Sequence, residues 1–405
     1  MKQIIFHFSV KGIGGVQNLY LNLMKELYRK GISTKLLYYN NTWLTQELDK
    51  AGVIYQLFDL ETDNIALLNS FVKKDDIVIT PYEFYIENLY KIQPYILYWV
   101  VVPKREKMAH QRFSEQLIDI AFRFLIKKMN DKRGFYFMDG SSSTTFFKYY
   151  KMHFQERYLP IPIEVPSYNF EPALTNLQTQ LHEKVIPISY IGRAENWKVN
   201  PLKKIIVDLV AMSEKLNLKV VVHIVTDDID EFAKLLAVQE YGRIEIKYHT
   251  NLFGQKLKDF LKSTIMINFA MGTSCLDSAS LGVPSIQIDA CYTEYPFNYK
   301  YRWLFENEGY SLGNFVDSNS ITHGHELYQI FEAILKEEGN LASVSKRCFE
   351  YVQNNHDLKK ITDDFLLAVN DCRNRWHLNT AYMVRMYSFK LLGWTGLYRR
   401  SILLK

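Results

Sequence analysis

Cysteine is scarce. The 405 residues hold four, Cys275, Cys291, Cys348 and Cys372, and no two stand as C-x-x-C. That removes the common zinc and dithiol motifs and a disulfide scaffold, and it fits a reducing compartment. Long apolar runs are missing too. The longest, YILYWVVV at 95–102, falls well short of the roughly 20 residues that span a bilayer. The opening MKQIIFHFSVKGIGG lacks the apolar stretch and cleavage site of a secretory leader. A cytoplasmic protein is therefore expected. No metal and no cofactor is expected. There is no low-complexity segment and no exact repeat.

What is present is an ordinary globular balance, with 48% hydrophobic and 23% charged residues, enriched in aromatics by 28 Tyr and 25 Phe. The length suits two domains. The net charge of +5 is unevenly placed. Seven basic residues and no acid lie between Arg373 and Lys405, so 42 basic residues face all 44 acids elsewhere. The tail mixes its Arg and Lys with Trp376, Tyr387, Trp394 and Tyr398, a composition that suits a helix in an anionic membrane interface. A terminal helix packed on the core is the alternative. A second basic stretch, 104–133, places Phe113, Leu117, Ile120, Ala121, Phe124, Leu125 and Met129 at helical spacing. The charge excess is too mild, and no module present, to expect nucleic acid as a partner.

Strand and helix patterns alternate twice. IIFHFSV, TKLLYY, DIVIT, YILYWVVV and GFYFM read as strands of a first set. VIPISYIG, KVVVHIV, RIEIKYH, TIMINF and PSIQID form a second. Helical stretches separate most of them, which predicts two α/β domains with parallel sheets covered on both faces. YLPIPIEVPSYNFEP, with four prolines, breaks the pattern and reads as a linker. The expected layout is an N-terminal Rossmann-like acceptor domain over 1–160, a linker over 161–183, a C-terminal Rossmann-like donor domain over 184–371, and a tail over 372–405 returning to the first domain or the membrane.

Three segments carry candidate chemistry. Gly12-Ile13-Gly14-Gly15 lies between a strand and a helix, where glycine lets a phosphate approach a helix N-terminus. A plain tight turn is the other reading. Gly192-Arg193-Ala194-Glu195-Asn196-Trp197-Lys198 follows the first strand of the second set. Arg193 and Lys198 can clamp a diphosphate there, or stand as solvated loop cations. Gly272-Thr273-Ser274 leads a short helix that carries Asp277. Its free N–H groups suit phosphate oxygens, and Asp277 suits sugar hydroxyls. The alternative is a cap made by Ser274 and Asp277. Glu83 and His110 are candidates for an acceptor base, because each follows a strand end.

In order and spacing, GIGGVQ, YIGRAENWK and GTSCLDSASLGVPSI resemble the nucleotide-sugar glycosyltransferases of GT-B fold, especially the retaining family 4. The resemblance implies two Rossmann-like domains facing each other across a cleft, and a hexosyltransferase acting on a lipid-linked or polysaccharide acceptor in cell-surface glycan synthesis. Carried over by position, Gly14 and Gly15 face the donor phosphates. Arg193 and Lys198 neutralise the leaving diphosphate, helped by Gly272, Thr273 and Ser274. Asp277 takes the place of the acid that binds the ribose. Tyr248, His249 and Asn251 fall where the base is recognised. Phe269 stands where the resemblance implies the first acid of a Glu-x7-Glu pair. A nucleotide-sugar 2-epimerase, a polyol-phosphate transferase or a catalytically silent scaffold of the same fold remain alternatives.

Overall fold

Buried β-forming segments assemble the first sheet. Its strands are β1 Ile4–His7, β2 Thr34–Tyr38, β3 Tyr55–Asp59, β4 Ile77–Pro81, β5 Tyr95–Val100 and β6 Phe135–Phe137. They pair in parallel in the order β3-β2-β1-β4-β5-β6. The order reverses between β1 and β4, as in doubly wound dinucleotide-type folds. Every residue of β1 and β4 is buried, as expected for central strands covered on both faces. β3 is the strand the sequence pattern does not announce. Only Phe58 of its five residues is buried, because it lies at the sheet edge. The computed structural model describes residues 2–12, 14–81, 89–101, 123–166, 169–170, 184–237, 242–336 and 340–375.

The second sheet comprises β7 Val185–Ile191, β8 Lys219–Val225, β9 Ile244–His249, β10 Ile267–Ala270, β11 Ser285–Gln287 and β12 Arg302–Trp303. Its order is β12-β11-β10-β7-β8-β9, parallel except for β12, which runs antiparallel to β11. Its core joins Ile188, Val222, Ile224 and Phe269 of the strands to Leu202, Ile206 and Leu209 of the helix Asn196–Leu216.

Two units emerge. One is Met1–Pro162 with Leu358–Lys405; the other is Ile163–Asp357. The expected end of the second domain at residue 371 therefore needs correction. The helix Leu358–Asp371 belongs with the first unit, where Phe365 stacks on Phe6 at 5.9 Å and on Trp99 at 6.1 Å. Lys30 adds an ion pair to Asp363 at 2.8 Å. A sequence that is helical on both sides of residue 357 carries no signal for this crossing. The basic tail from 376 onward lies outside the described residues, as do 102–122 of the second basic stretch. Residues 123–131 of that stretch are helical, and their apolar face differs from the expected one. Leu125, Ile126 and Met129 are buried, whereas Phe124 is 60% exposed under the ammonium of Lys128. Among the described residues, no helix is long and apolar enough to cross a membrane.

Candidate functional site

Parallel strands deliver their C-terminal ends to one edge of a sheet, the place where such folds bind ligands. In the second unit that edge carries, in spatial order, the segments after β11, β10, β7, β8 and β9. Three of these segments, at β10, β7 and β9, hold the residues singled out from the sequence.

After β7 the chain turns at Gly192. A side chain there would press on Lys198 Cδ at 3.3 Å and on Tyr190 at 3.2 Å. The loop is anchored to the next strand end, because Ala194 N donates to Asp227 Oδ1 at 3.0 Å. Arg193 is exposed and pairs with Glu195 at 3.3 Å. Glu195 also accepts from the indole N–H of Trp197. Lys198 Nζ lies 4.8 Å from the centre of the Trp197 ring. Desolvation, reinforced by the nearby Arg193 charge, lowers the Lys198 ammonium to a pKa of about 8, against the pull of Glu195 and Asp227. Arg193 and Lys198 are thus adjacent cations held by structure. The sequence did not point to Glu195, Trp197 or Asp227 as their supports.

After β10 comes Gly272, at φ +66 and ψ −144, a conformation suited to glycine alone. It caps the helix Thr273–Ser280, and no side chain caps that helix start. The Ser274–Asp277 cap considered from sequence is therefore not formed. Ser278 Oγ bonds back to Ser274 O at 2.8 Å and accepts from Asn268 Nδ2 at 2.5 Å. Asn268 in turn accepts from Ser189 at 2.7 Å. This buried polar chain fixes the helix start against β10 and β7. Asp277 is exposed to solvent, yet the protein around its carboxyl raises its pKa to about 6, with Lys258 opposing the shift. Phe269, where an acid was implied, is fully buried and meets Tyr301 edge-on at 6.2 Å. Its ring belongs to the core.

β9 ends on Tyr248 and His249, and Asn251 follows in the next turn. His249 Nε2 is 2.9 Å from His223 Nδ1, and the two rings stack at 5.1 Å beside Phe260. Burial lowers both imidazoles, His223 to about 4, so the pair is neutral at pH 7. Asn251 is exposed at φ +59. The chain also carries one D-x-D, Asp228-Ile229-Asp230. Asp228 uses its carboxylate to accept Glu231 N at 3.0 Å and so cap the helix Ile229–Leu236.

In the first unit Gly14 starts the helix Gly15–Arg29, again with no side-chain cap. Gly14 itself is extended; the positive φ of +112 falls on Gly12. A side chain at 14 would meet Gln17 Oε1 at 3.0 Å, whereas the space beside Gly15 is open. Both helix starts leave backbone N–H groups to be met from outside the helix, and an anion suits them. Glu83 and His110 lie outside the described residues.

No protein-family model and no curated protein matches this chain. Solved structures do. A glycosyltransferase from Rickettsia africae superposes with a TM-score of 0.57 at 14% identity, over 92% of this chain and 99% of that one. HepE from Anabaena, in complex with UDP and glucose, gives 0.54 at 12% identity, over 91% and 100%. TarM from S. aureus, in complex with Fondaparinux, alpha-GlcNAc-glycerol and UDP, gives 0.57 at 10% identity, over 91% and 100%. At such identities the likeness establishes the fold, and that fold is GT-B.

Proposed function

We propose that this protein is a glycosyltransferase that takes a nucleoside-diphosphate sugar as donor. The observation that carries this reading is the Arg193–Lys198 cation pair beside the glycine-started helix of Gly272. Both stand on the ligand edge of a Rossmann-like sheet. In the transfer, the bond between the sugar's anomeric carbon and the diphosphate oxygen breaks. An acceptor hydroxyl oxygen bonds that carbon and gives up its proton. The leaving diphosphate gains negative charge as the bond breaks, so fixed cations and helix N–H groups stabilise the transition state more than the ground state.

Within that reading Arg193 and Lys198 hold the diphosphate, Gly272 to Ser274 and Gly14 to Gly15 supply backbone donors, and Asp277 binds the ribose. The neutral His249 with Tyr248 and Asn251 borders the base. UDP is the simplest nucleotide, because HepE and TarM are held with it. A lipid-linked or polysaccharide acceptor, served at a membrane face by the basic aromatic tail, is the acceptor we infer, with Glu83 or His110 as its base. Retention of configuration belongs to the same proposal. One observation favours a second reading, nucleotide binding without transfer: Phe269 offers no carboxylate.

A coupled assay for released nucleoside diphosphate separates the two. With UDP-, GDP-, CDP- and ADP-sugars and a glycolipid extract, transfer predicts turnover with one nucleotide, abolished by Arg193→Ala with Lys198→Ala. Binding without release from any donor would favour the silent reading.

A further inference from the structure

The segment after β11 lies on the same ligand edge and has no place in the proposed donor chemistry. It carries Tyr292, which stacks on Phe315 at 5.5 Å with the ring planes 19° apart. Tyr292 also meets Trp197 at 6.0 Å and 34°. Beyond Trp197 lies Lys198 Nζ. The ammonium and three aromatic rings from three separate stretches of chain are thus in successive contact, a row in that sense. Tyr292 and Phe315 are each 38% exposed.

Backbone bonds hold the row in place. Pro201 has no N–H to offer the carbonyl four residues back in its helix, which is that of Trp197. The Trp197 carbonyl instead accepts from Cys291 N at 3.3 Å. Asn200 Nδ2 donates to the carbonyls of Cys291 at 3.3 Å and Thr293 at 3.1 Å. On the far side Ala290 N donates to Asn314 O at 2.8 Å, and Val316 N to Ala290 O at 2.9 Å. The rings are positioned before any ligand arrives, which lowers the ordering cost of binding. A helix proline and a bonded loop serve to aim surface aromatics.

We propose that this row is a carbohydrate subsite, in which the C–H face of a neutral pyranose packs on Tyr292 and Phe315, with Trp197 behind them. The proposal rests on the transferase reading, and it adds a second sugar position outside the diphosphate clamp. The place on the strand-end edge says ligand. Flat aromatic faces with polar groups at the rim are the usual lining of such sites. The row begins at a cation, which suits a hydroxyl-bearing sugar chain rather than the broad apolar contact of an acyl tail.

The test uses the full chain and three probes: maltotetraose, cellotetraose and chitotetraose, titrated by saturation-transfer NMR and calorimetry, with UDP titrated in parallel. We expect at least one tetrasaccharide to bind. Tyr292→Ala with Phe315→Ala should weaken it ten-fold or more with the melting temperature and UDP affinity unchanged, and Tyr292→Phe should restore it. Equal sugar binding by the double variant overturns the proposal, as does no binding of any tetrasaccharide. A parallel loss of UDP affinity would assign the rings to the nucleotide and also overturns it. Sugar binding without UDP binding would contradict the transferase reading while leaving the subsite standing.

Discussion

Asn374 occupies the space that a side chain on Gly134 would need. A Cβ built on Gly134 would fall 2.2 Å from the Asn374 Cβ. Asn374 also bonds β5 twice, its carbonyl accepting from Ile96 N and its amide donating to Ile96 O, each at 2.9 Å. Just upstream, Lys2 Nζ closes the helix Leu358–Asp371 by donating to Val369 O at 2.8 Å and Cys372 O at 2.7 Å. The returning chain is thereby fastened to the first sheet. Gly134→Ala should destabilise the protein by about 1–3 kcal/mol through overpacking. Urea unfolding measures it, and an unchanged midpoint would show that the return segment shifts freely.

The second unit has a buried anchor. Asp289, 1% exposed, takes two bonds from Arg302 Nη2, both at 2.9 Å, with Tyr299 at 3.0 Å and Asn314 N at 2.8 Å. Arg302→Met leaves a buried carboxylate without its cation and should cost about 3–5 kcal/mol, whereas adding Asp289→Asn should recover part of that loss. Equal stabilities of the single and double variants would contradict this pairing.

Acid should destabilise through histidine. His7 is fully buried in β1, its Nδ1 2.9 Å from Thr80 Oγ1, and burial holds its pKa at about 3; His223 is held at about 4. Both lie below the ordinary 6.5. Between these limits the unfolded chain binds protons that the native chain refuses, so stability falls as pH drops from about 6.5 toward 4. Neither group contributes a slope above 6.5. The melting temperature followed from pH 7.5 to 4.5 should decline, and His223→Gln should flatten the decline. An unaltered slope in that variant would remove His223 from the account.

The reduced Lys198 pKa has the opposite consequence for ligand. Above about pH 8 the native ammonium loses its charge, so affinity for a nucleoside diphosphate should fall as pH rises through 8. Lys198→Arg keeps its charge there, and should bind equally at pH 7 and 9. Calorimetry at both pH values decides the matter.

Much of this was legible beforehand. Apolar runs such as IVIT and VVVHIV declare central strands because burial on both faces demands them. Gly272-Thr273-Ser274 declared a helix start, and the φ +66 with ψ −144 of Gly272 is the glycine conformation that makes it. Other features were silent for physical reasons. β3 is an edge strand with a polar pattern. The crossing at residue 357 falls between two helices. Trp197, Tyr292 and Phe315 are distant in sequence and read singly as ordinary aromatics. Asp227 had no motif; only its bond to Ala194 N reveals its work.

The most direct measurement is a thermal-shift titration of the full chain with UDP, GDP, CDP and ADP, beside Arg193→Ala with Lys198→Ala. One diphosphate at about 100 times its dissociation constant should stabilise the protein by roughly 2.7 kcal/mol, and the double variant should lose that shift while melting as before. No shift with any of the four, or a shift that survives the double substitution, would contradict the donor site placed at Arg193 and Lys198.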